Sequence, residues 1–304
     1  MKRTTLAWGL FAAVTAGGAG ACTDGGDPTD DSQVILRTGE FTVPIGDSFT
    51  CFYLDQRSAA ELSVSGAGGG QGLGGHHIIA YYADEDRPVG HHPCTDEEMT
   101  NLHQIAGSAG DSGAGVLVLH DGLALKVPPG KQFVLQSHYI NATDSEQTVS
   151  DYVNLELARP EDVYAYVNYF VTNDDHFDIP PTADYTHTTY CRVNRDLDVA
   201  LTLGHMHEAG RHYELDLMGQ GGGAAAAQPL ISNDWQPVYA SHPPVTYYTV
   251  AQPLHVAAGS VLRQTCDWSN TTAHEEIFPR EMCLSFMYYF PGDGDDIVCD
   301  MTDQ

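Results

Sequence analysis

The sequence predicts an all-β fold, a sandwich or jelly roll, arranged as two similar domains in tandem. Short alternating or β-branched runs recur from Val34 onward, and Gly, Pro, Asp and Asn separate them. No apolar stripe shows the 3.6-residue period of a helix. The length of 304 residues also fits two domains of about 150 residues each. The candidate strands include residues 49–54, 77–82, 116–119, 133–139, 163–171, 199–203, 213–217 and 284–290.

A weak internal repeat supports the division into two domains. The segment Val127-Pro-Pro-Gly130 introduces one candidate strand, and Val256-Ala-Ala-Gly259 introduces another 129 residues later. We therefore expect an N-terminal domain over residues 34–158 and a C-terminal domain over residues 159–304. A glycine tract at residues 66–75 is expected to form a loop or strand break.

The composition excludes several classes of function. The chain carries 13 Lys and Arg against 41 Asp and Glu, a formal net charge of −28, so it would repel nucleic acids and anionic membrane surfaces. Because 42% of its residues are hydrophobic, it can bury a core and is not a disordered acidic chain. The 15 histidines are a first indication of metal chemistry.

Residues 1–21 have the pattern of a secretory signal peptide. Lys2-Arg3 precedes an apolar run over residues 6–14, which is too short to span a bilayer. Two cleavage signals end at the same point. Ala19-Gly20-Ala21 gives a small-x-small peptidase site, and Cys22 follows a sequence similar to a bacterial lipobox.

The seven cysteines form an odd set. Cys22 stands alone at the head of a polar stretch, residues 22–33, which is typical of a lipoprotein tether. We predict lipidation of Cys22 and an exported protein, either a bacterial cell-envelope lipoprotein of the periplasm or outer membrane, or a secreted protein. Its membrane contact would be limited to the N-terminal lipid anchor. The remaining six should form three disulfides with fifteen possible pairings: Cys51, Cys94, Cys191, Cys266, Cys283 and Cys299.

Three histidine motifs are candidates for metal binding. His205-Met206-His207 lies in a strand-like run, where residues two apart share a face and both imidazoles can reach one ion while Met206 points into the core; two surface histidines are the alternative. His76-His77 follows two glycines, which allow the bulge or strand entry that adjacent ligands need. His138 lies in a strongly β segment and would alone be a buried core histidine.

Two further features have weaker support. His91-His92 is a competing pair, but it precedes Pro93-Cys94 in an expected loop with no apolar anchor, so we interpret it as a surface pair. Met282, between Glu281 and Cys283, would alone be a core residue.

Taken together and in order, these fragments resemble the copper type II, ascorbate-dependent monooxygenases, the family of peptidylglycine α-hydroxylating monooxygenase and dopamine β-monooxygenase. The matching motifs cover nearly the whole mature chain: Gly75-His76-His77, Gln136-Ser137-His138-Tyr139, His205-Met206-His207 with Gly210-Arg211, Glu281-Met282-Cys283, and Met287-Tyr288-Tyr289.

The resemblance implies two antiparallel jelly-roll domains with one copper on each, facing each other across an inter-domain cleft. It assigns the first copper to His76, His77 and His138, and the second, catalytic copper to His205, His207 and Met282. It also implies the disulfides Cys51–Cys94, Cys191–Cys299 and Cys266–Cys283, which leaves Cys22 unpaired.

The ligand types are consistent with copper. Imidazole suits copper, and the Met282 thioether is a soft ligand that favours Cu(I), the state that meets dioxygen, whereas zinc sites take His, Cys and carboxylate. A second site with three protein ligands leaves a position open for O₂. Because copper carries one electron and hydroxylation needs two, the resemblance implies two coppers, O₂, and ascorbate or a similar one-electron reductant.

The chain departs from the family where the peptide-amidating member clamps its substrate. An Arg, an Asn and a Tyr hold the substrate carboxylate and backbone there, and this chain has Leu203, Leu284 and Phe286, none of which can donate a hydrogen bond to a carboxylate. The peptide substrate is therefore not carried over.

The sequence thus predicts an exported copper monooxygenase that hydroxylates a C–H bond of a small organic substrate without a carboxylate, and that has no nucleic-acid partner. A non-catalytic copper-binding or copper-handling lipoprotein is the alternative, distinguished by bound copper without ascorbate-dependent oxygen consumption. A structural or adhesive β protein with incidental histidines predicts no stoichiometric copper.

Overall fold

The computed structural model describes residues 32–95, 98, 101–109, 114–115, 117–219, 227–240, 242–278, 280–292 and 296–300. The predicted signal peptide, Cys22 and most of the predicted tether lie outside these residues. From residue 31 onward the chain forms one compact unit. Within the described ranges, no helix has the length and apolarity needed to cross a membrane.

The described elements are 23 strands and two short 3-10 helices, which confirms an all-β, sandwich-like fold. The strands of the first half are β1 (Gln33–Val43), β2 (Gly46–Arg57), β3 (Leu62–Gly70), β4 (Gly75–Ala83), β5 (Gly90–Pro93), β6 (Leu102–Ala109), β7 (Ala114–Gly115), β8 (Leu117–Val118), β9 (Leu123–Val127), β10 (Gln132–Asn141) and β11 (Gln147–Leu157).

The strands of the second half follow a 3-10 helix over Pro160–Asp162. They are β12 (Ala165–Asp174), β13 (Asp178–Ile179), β14 (Ala183–Arg192), β15 (Leu197–His205), β16 (Gly210–Met218), β17 (Gln228–Asp234), β18 (Val245–Tyr247), β19 (Leu254–Val256), β20 (Val261–Asn270), β21 (Glu276–Ile277), β22 (Cys283–Phe290) and β23 (Ile297–Asp300). The second 3-10 helix covers Pro237–Ala240.

One long sheet runs through both halves in the order β1-β11-β3-β9-β12-β22-β15-β18, with β8, β19 and β23 attached beside it. A six-stranded sheet has the order β5-β2-β10-β4-β6-β7, a four-stranded sheet has the order β14-β20-β16-β17, and β13 pairs with β21. Among the described pairs, β9 with β12 and β12 with β23 are parallel and the others are antiparallel. The expectation of antiparallel sheets therefore fails at these two pairs, and the β9–β12 pair makes the long sheet continuous between the halves.

Alternate residues of the long sheet supply two separate cores. Tyr169 and Tyr288 belong to the cluster that fills the first half, whereas Phe170 and Met287 belong to the cluster of the second half. This follows from the period of two along a strand, because neighbouring residues point to opposite faces. The first core therefore includes residues of the second half, such as Tyr169 and Tyr288, and the division into domains at residues 158–159 stays a prediction.

The glycine tract is half strand and half connection. Residues 66–70 belong to β3, whereas residues 71–74 connect β3 to β4, as expected of a loop or strand break. A Cβ atom on Gly66 would lie 2.8 Å from Glu156 Oε2, and one on Gly70 would lie 2.9 Å from Tyr152 Cε1. Residues 66–70 can form a strand because their lack of side chains makes room for those of the neighbouring strand β11.

The three disulfides are Cys51–Cys94, Cys191–Cys299 and Cys266–Cys283. They confirm the pairing implied by the resemblance. The bonded cysteines are 43, 108 and 17 residues apart in the sequence. In the loop-entropy model, each bond stabilises the folded state by about 3–5 kcal/mol because it lowers the entropy of the unfolded chain. Three such bonds indicate an oxidising, extracytoplasmic environment.

Candidate metal centre

The first ligand set is built around β10, a strand paired on both sides. His138 is directly opposite Phe49 on β2 and His77 on β4. The His138 ring is 3% exposed and stacks on the Phe49 ring with centroids 3.8 Å apart. Hydrogen bonding to two neighbouring strands and burial in the sheet fix the position of this imidazole.

A β-bulge brings the adjacent histidines of β4 to the same place. His77 is opposite His138, and Gly75 is opposite Tyr139, so His76 has no partner in the register. Gly74, just before the bulge, has φ +81°, a conformation that favours glycine. The predicted bulge is therefore confirmed. It brings the Nδ1 atoms of His76 and His77 within 3.1 Å of each other.

One ring nitrogen from each of His76, His77 and His138 lies within 4.8 Å of the other two. Nδ1 of His138 is buried and has no hydrogen-bond partner in the described part of the chain. Its other nitrogen, Nε2, lies 2.7 Å from Asp47 Oδ1, and Nε2 of His76 lies 3.3 Å from Glu208 Oε1. Metal-binding histidines commonly place the ring nitrogen that does not bind the metal, here called the outer nitrogen, against a carboxylate. The rings of His76 and His138 are therefore oriented with Nδ1 facing the cluster.

The second ligand set lies at the end of β15. The strand ends at His205, so His207 lies in the following turn rather than on the strand-like run expected from the sequence. Met206 is fully buried in the second core, as predicted. The two imidazole rings lie 5.1 Å apart. The turn thus keeps both histidines together while the side chain between them packs in the core.

Hydrogen bonds orient the His207 ring. Nδ1 lies 2.8 Å from the Arg280 carbonyl oxygen, and Trp235 Nε1 donates to the His207 carbonyl at 3.0 Å. Nε2 is buried without a hydrogen-bond partner among the described residues. A ring that donates through Nδ1 leaves the lone pair of Nε2 available for a metal.

Two anchors hold the segment that carries Met282 beside these histidines. The buried Glu281 carboxylate accepts hydrogen bonds from the backbone N–H groups of His207 and Ala209, at 3.2 and 2.8 Å. On the other side of Met282, Leu284 is directly opposite His205 in the β15–β22 register. The half-buried Met282 therefore lies between two residues that contact the His205–His207 segment.

Residues from both ligand sets line one cavity: His76 and His138 of the first set and His207 of the second. The rings of His76 and His207 lie 6.0 Å apart, so the sets are neighbours. The cavity has a volume of about 210 Å³, and its lining residues are Asp47, Phe49, His76, His138, Ile140, His207, Glu208 and Arg280.

Burial favours the neutral form of four imidazoles, those of His77, His138, His205 and His207. Desolvation lowers the pKa of His77 and of His205 well below the usual value, lowers that of His207, and lowers the pKa of His138 to about 4. Neutral imidazole is the form that binds metals. The imidazole donors fit copper, because Nδ1 of His138 and Nε2 of His207 are buried and have no hydrogen-bond partner among the described residues.

Two carboxylates that line the cavity, Asp47 and Glu208, were not singled out from the sequence, and a third nearby, Glu281, was noted only as part of the Glu281-Met282-Cys283 motif. The hydrogen bond from His76 lowers the pKa of Glu208 to about 2, so this group is ionised at neutral pH. Burial raises the pKa of Glu281 to about 7. Glu208 directly follows His207, a local signal that could have been noticed. Asp47 reaches His138 only through strand pairing, which leaves no trace in the sequence.

The competing pair His91-His92 lies on β5, a short edge strand rather than the expected loop. His92 Nε2 lies 2.9 Å from Glu98 Oε2, and β2 separates the pair from β10. A group of possible ligand atoms nearby consists of Cys51, Cys94 and Glu98, but its sulfurs form a disulfide.

No protein-family model matches the chain, and no curated protein matches it. Among solved structures, it is similar to infectious bursal virus derived T=1 particles (10% identity, TM-score 0.22, covering 85% of this chain and 70% of that one). It is also similar to the infectious bursal disease virus VP2 subviral particle (10% identity, TM-score 0.22, covering 88% of this chain and 75% of that one). A third similar structure is the CUB1-EGF-CUB2 domain of human MASP-1/3 (10% identity, TM-score 0.17, covering 85% of this chain and 93% of that one). TM-scores this low support no inference about this chain.

Proposed function

We propose that the chain is an exported copper-dependent monooxygenase that hydroxylates a C–H bond of a small organic substrate, using O₂ and ascorbate or a similar one-electron reductant. The observation that carries the proposal is one cavity lined by His138 and His207, whose Nδ1 and Nε2 atoms, respectively, are buried without a hydrogen-bond partner among the described residues. Burying a polar atom without a partner costs folding free energy. A bound metal ion would provide the missing partner for both nitrogens.

Copper bound to these residues would supply one-electron transfer and the activation of dioxygen. His76, His77 and His138 would hold one ion, and His205, His207 and Met282 the other. The chain's own contribution is to fix these groups before binding. Phe49 stacks on His138 and limits its exposure to water, while Glu281 fastens the turn that carries His207.

The substrate class follows from the sheet face beside His205. Leu203 is opposite Phe286, and Leu284 is opposite His205, in the antiparallel register of β15 and β22. Directly opposed residues share a face, so these apolar side chains lie on the face that carries His205. Val171 of β12 extends this strip because it is opposite Phe286 on its other side.

A carboxylate placed on this strip would lose its hydration without gaining a hydrogen-bond donor, at a cost of several kcal/mol. The net charge of −28 adds a weak repulsion of anions, most of which salt screens. We therefore expect a neutral or cationic substrate with an apolar body, not a peptide with a free carboxylate.

The test is a turnover assay with copper-loaded chain, ascorbate and O₂ on phenethylamines, hydrophobic small molecules and glycine-extended peptides, with oxygen incorporation read by mass. We expect hydroxylated products from the first two classes and little from the peptides. Peptide turnover comparable to the best other substrate would contradict the substrate class. Two bound coppers without oxygen consumption on any substrate would favour the copper-handling alternative.

A further inference from the structure

The three-histidine site has carboxylates on its outer nitrogens. Asp47 Oδ1 lies 2.7 Å from His138 Nε2, and Glu208 Oε1 lies 3.3 Å from His76 Nε2. The two carboxylates come from different parts of the fold, Asp47 from β2 and Glu208 from the turn after β15. Neither of them is a ligand in the set assigned above.

We propose that Asp47, assisted by Glu208, stabilises the oxidised state of the three-histidine copper and so directs the electron from this copper to the second one. This inference rests on the proposed function. We expect Asp47 to have the larger effect of the two carboxylates. Its contact is shorter, and its partner His138 is almost completely buried, with 4% side-chain exposure.

The physical basis is the effect of a negative charge on the imidazole. A carboxylate that accepts the outer N–H makes the ring a better donor through its other nitrogen. A better donor and a nearby negative charge both favour the more highly charged Cu(II) over Cu(I). The His138 ring is buried, whereas the side chains of Asp47 and Glu208 are 56% and 54% exposed, so water screens part of both charges.

The second ligand set has the opposite character. The outer nitrogen of His207 faces a neutral carbonyl oxygen of Arg280 at 2.8 Å. The third ligand, Met282, is a thioether, and thioethers favour Cu(I). An electron from the reductant would therefore be released by the first site and retained by the second, which is the direction that oxygen activation at the second site requires.

Glu208 connects the two sets physically. It directly follows His207, yet its carboxylate contacts His76 of the other set. Its charge also lies near His205 and His207. Glu208 therefore favours Cu(II) at both sites and contributes less than Asp47 to the difference in reduction potential between them. Substituting Asp47 should accordingly change the first site while leaving the second site largely unaffected.

The experiment uses the full chain with His205→Ala, so that bound copper reports the first site. Cu(II) and Cu(I) affinities are measured by competition with chelators, together with the Cu(II) electron paramagnetic resonance spectrum. Asp47→Asn keeps an oxygen that can accept the hydrogen bond but removes the charge. Asp198→Asn is the matched control, because Asp198 makes a similar 2.9 Å contact with His255 at the surface.

We expect Asp47→Asn to weaken Cu(II) binding by about 10–100-fold while leaving Cu(I) binding unchanged, and Glu208→Gln to have a smaller effect. A tenfold change in the affinity ratio corresponds to a reduction potential about 59 mV higher. Asp198→Asn should change neither affinity.

Equal weakening of both oxidation states, or no difference from Asp198→Asn, would overturn the inference. Neither outcome would affect the proposed function, provided that the unsubstituted chain binds two coppers and turns over. A shifted ratio in a chain without turnover would support the inference while contradicting the monooxygenase.

Discussion

His207 directs Nδ1 to the Arg280 carbonyl at 2.8 Å and keeps Nε2 for the cavity, whereas His138 directs Nε2 to Asp47 at 2.7 Å and keeps Nδ1. The two ligand sets therefore present opposite ring nitrogens. In each case the outer hydrogen bond selects the tautomer and fixes the ring. Although Glu208 contacts His76 from the segment of the second set, the ligands of the two sets are different residues, so each site should keep its metal when the other loses a ligand.

Copper stoichiometry tests this independence. His138→Ala and His207→Ala should each lose one of two coppers, because each removes a ligand from one set only. Copper is measured per chain after dialysis, and His255→Gln, which removes an exposed histidine outside both sets, is the control. Loss of both coppers from either single variant would contradict the two-site arrangement.

Met282→His tests the role of the thioether. Imidazole binds copper well, so the second copper should remain, but the soft ligand that favours Cu(I) is lost. Turnover should fall at least as much as the roughly 10–100-fold that follows removal of an outer-shell partner. Copper content and initial rates are measured on the same preparation. Unchanged turnover would mean that Met282 is only a packing residue.

Replacing His91 and His92 together by Gln should leave the copper content at two per chain. The pair lies on the edge strand β5, and His92 already contacts the buried Glu98. The expected cost is limited to a lower stability, because Glu98 loses its hydrogen-bond partner His92. Loss of a copper in this double variant would show that the adjacent pair was chosen wrongly.

His103 should make the stability depend on pH. It lies between Asp296 and Asp84, whose hydrogen bonds raise the pKa of His103 above its usual value. A raised folded-state pKa gives stability that is complete below about pH 6.5, the unfolded value, and is lost as the pH rises through the folded value.

The matching measurement is the free energy of unfolding of the unsubstituted chain and of His103→Gln at pH 5.5 and 8.5. The difference between them should be larger at pH 5.5, on the order of 1 kcal/mol because the group is partly exposed. An equal difference at both pH values would exclude this contribution.

The sequence was sufficient for the fold class, since the period of two and the turn residues are local properties of a strand. The cysteine pairing was not a local property: the residues alone left fifteen pairings open, the family resemblance implied one of them, and the structure confirms all three of its bonds. The bulge at His76 was also predictable, because two adjacent ligands cannot share a face of a regular strand and glycines precede them.

Only the tertiary structure decided how the ligand sets meet and what supports them. Asp47 and His138 are 91 residues apart, and Glu281 and His207 are 74 apart, so no spacing rule connects them. Nor does the sequence tell that Leu203 lies opposite Phe286, or that Glu208 crosses to His76. Strand pairing sets these contacts, and a pairing between distant strands depends on the whole packed sheet rather than on any local pattern.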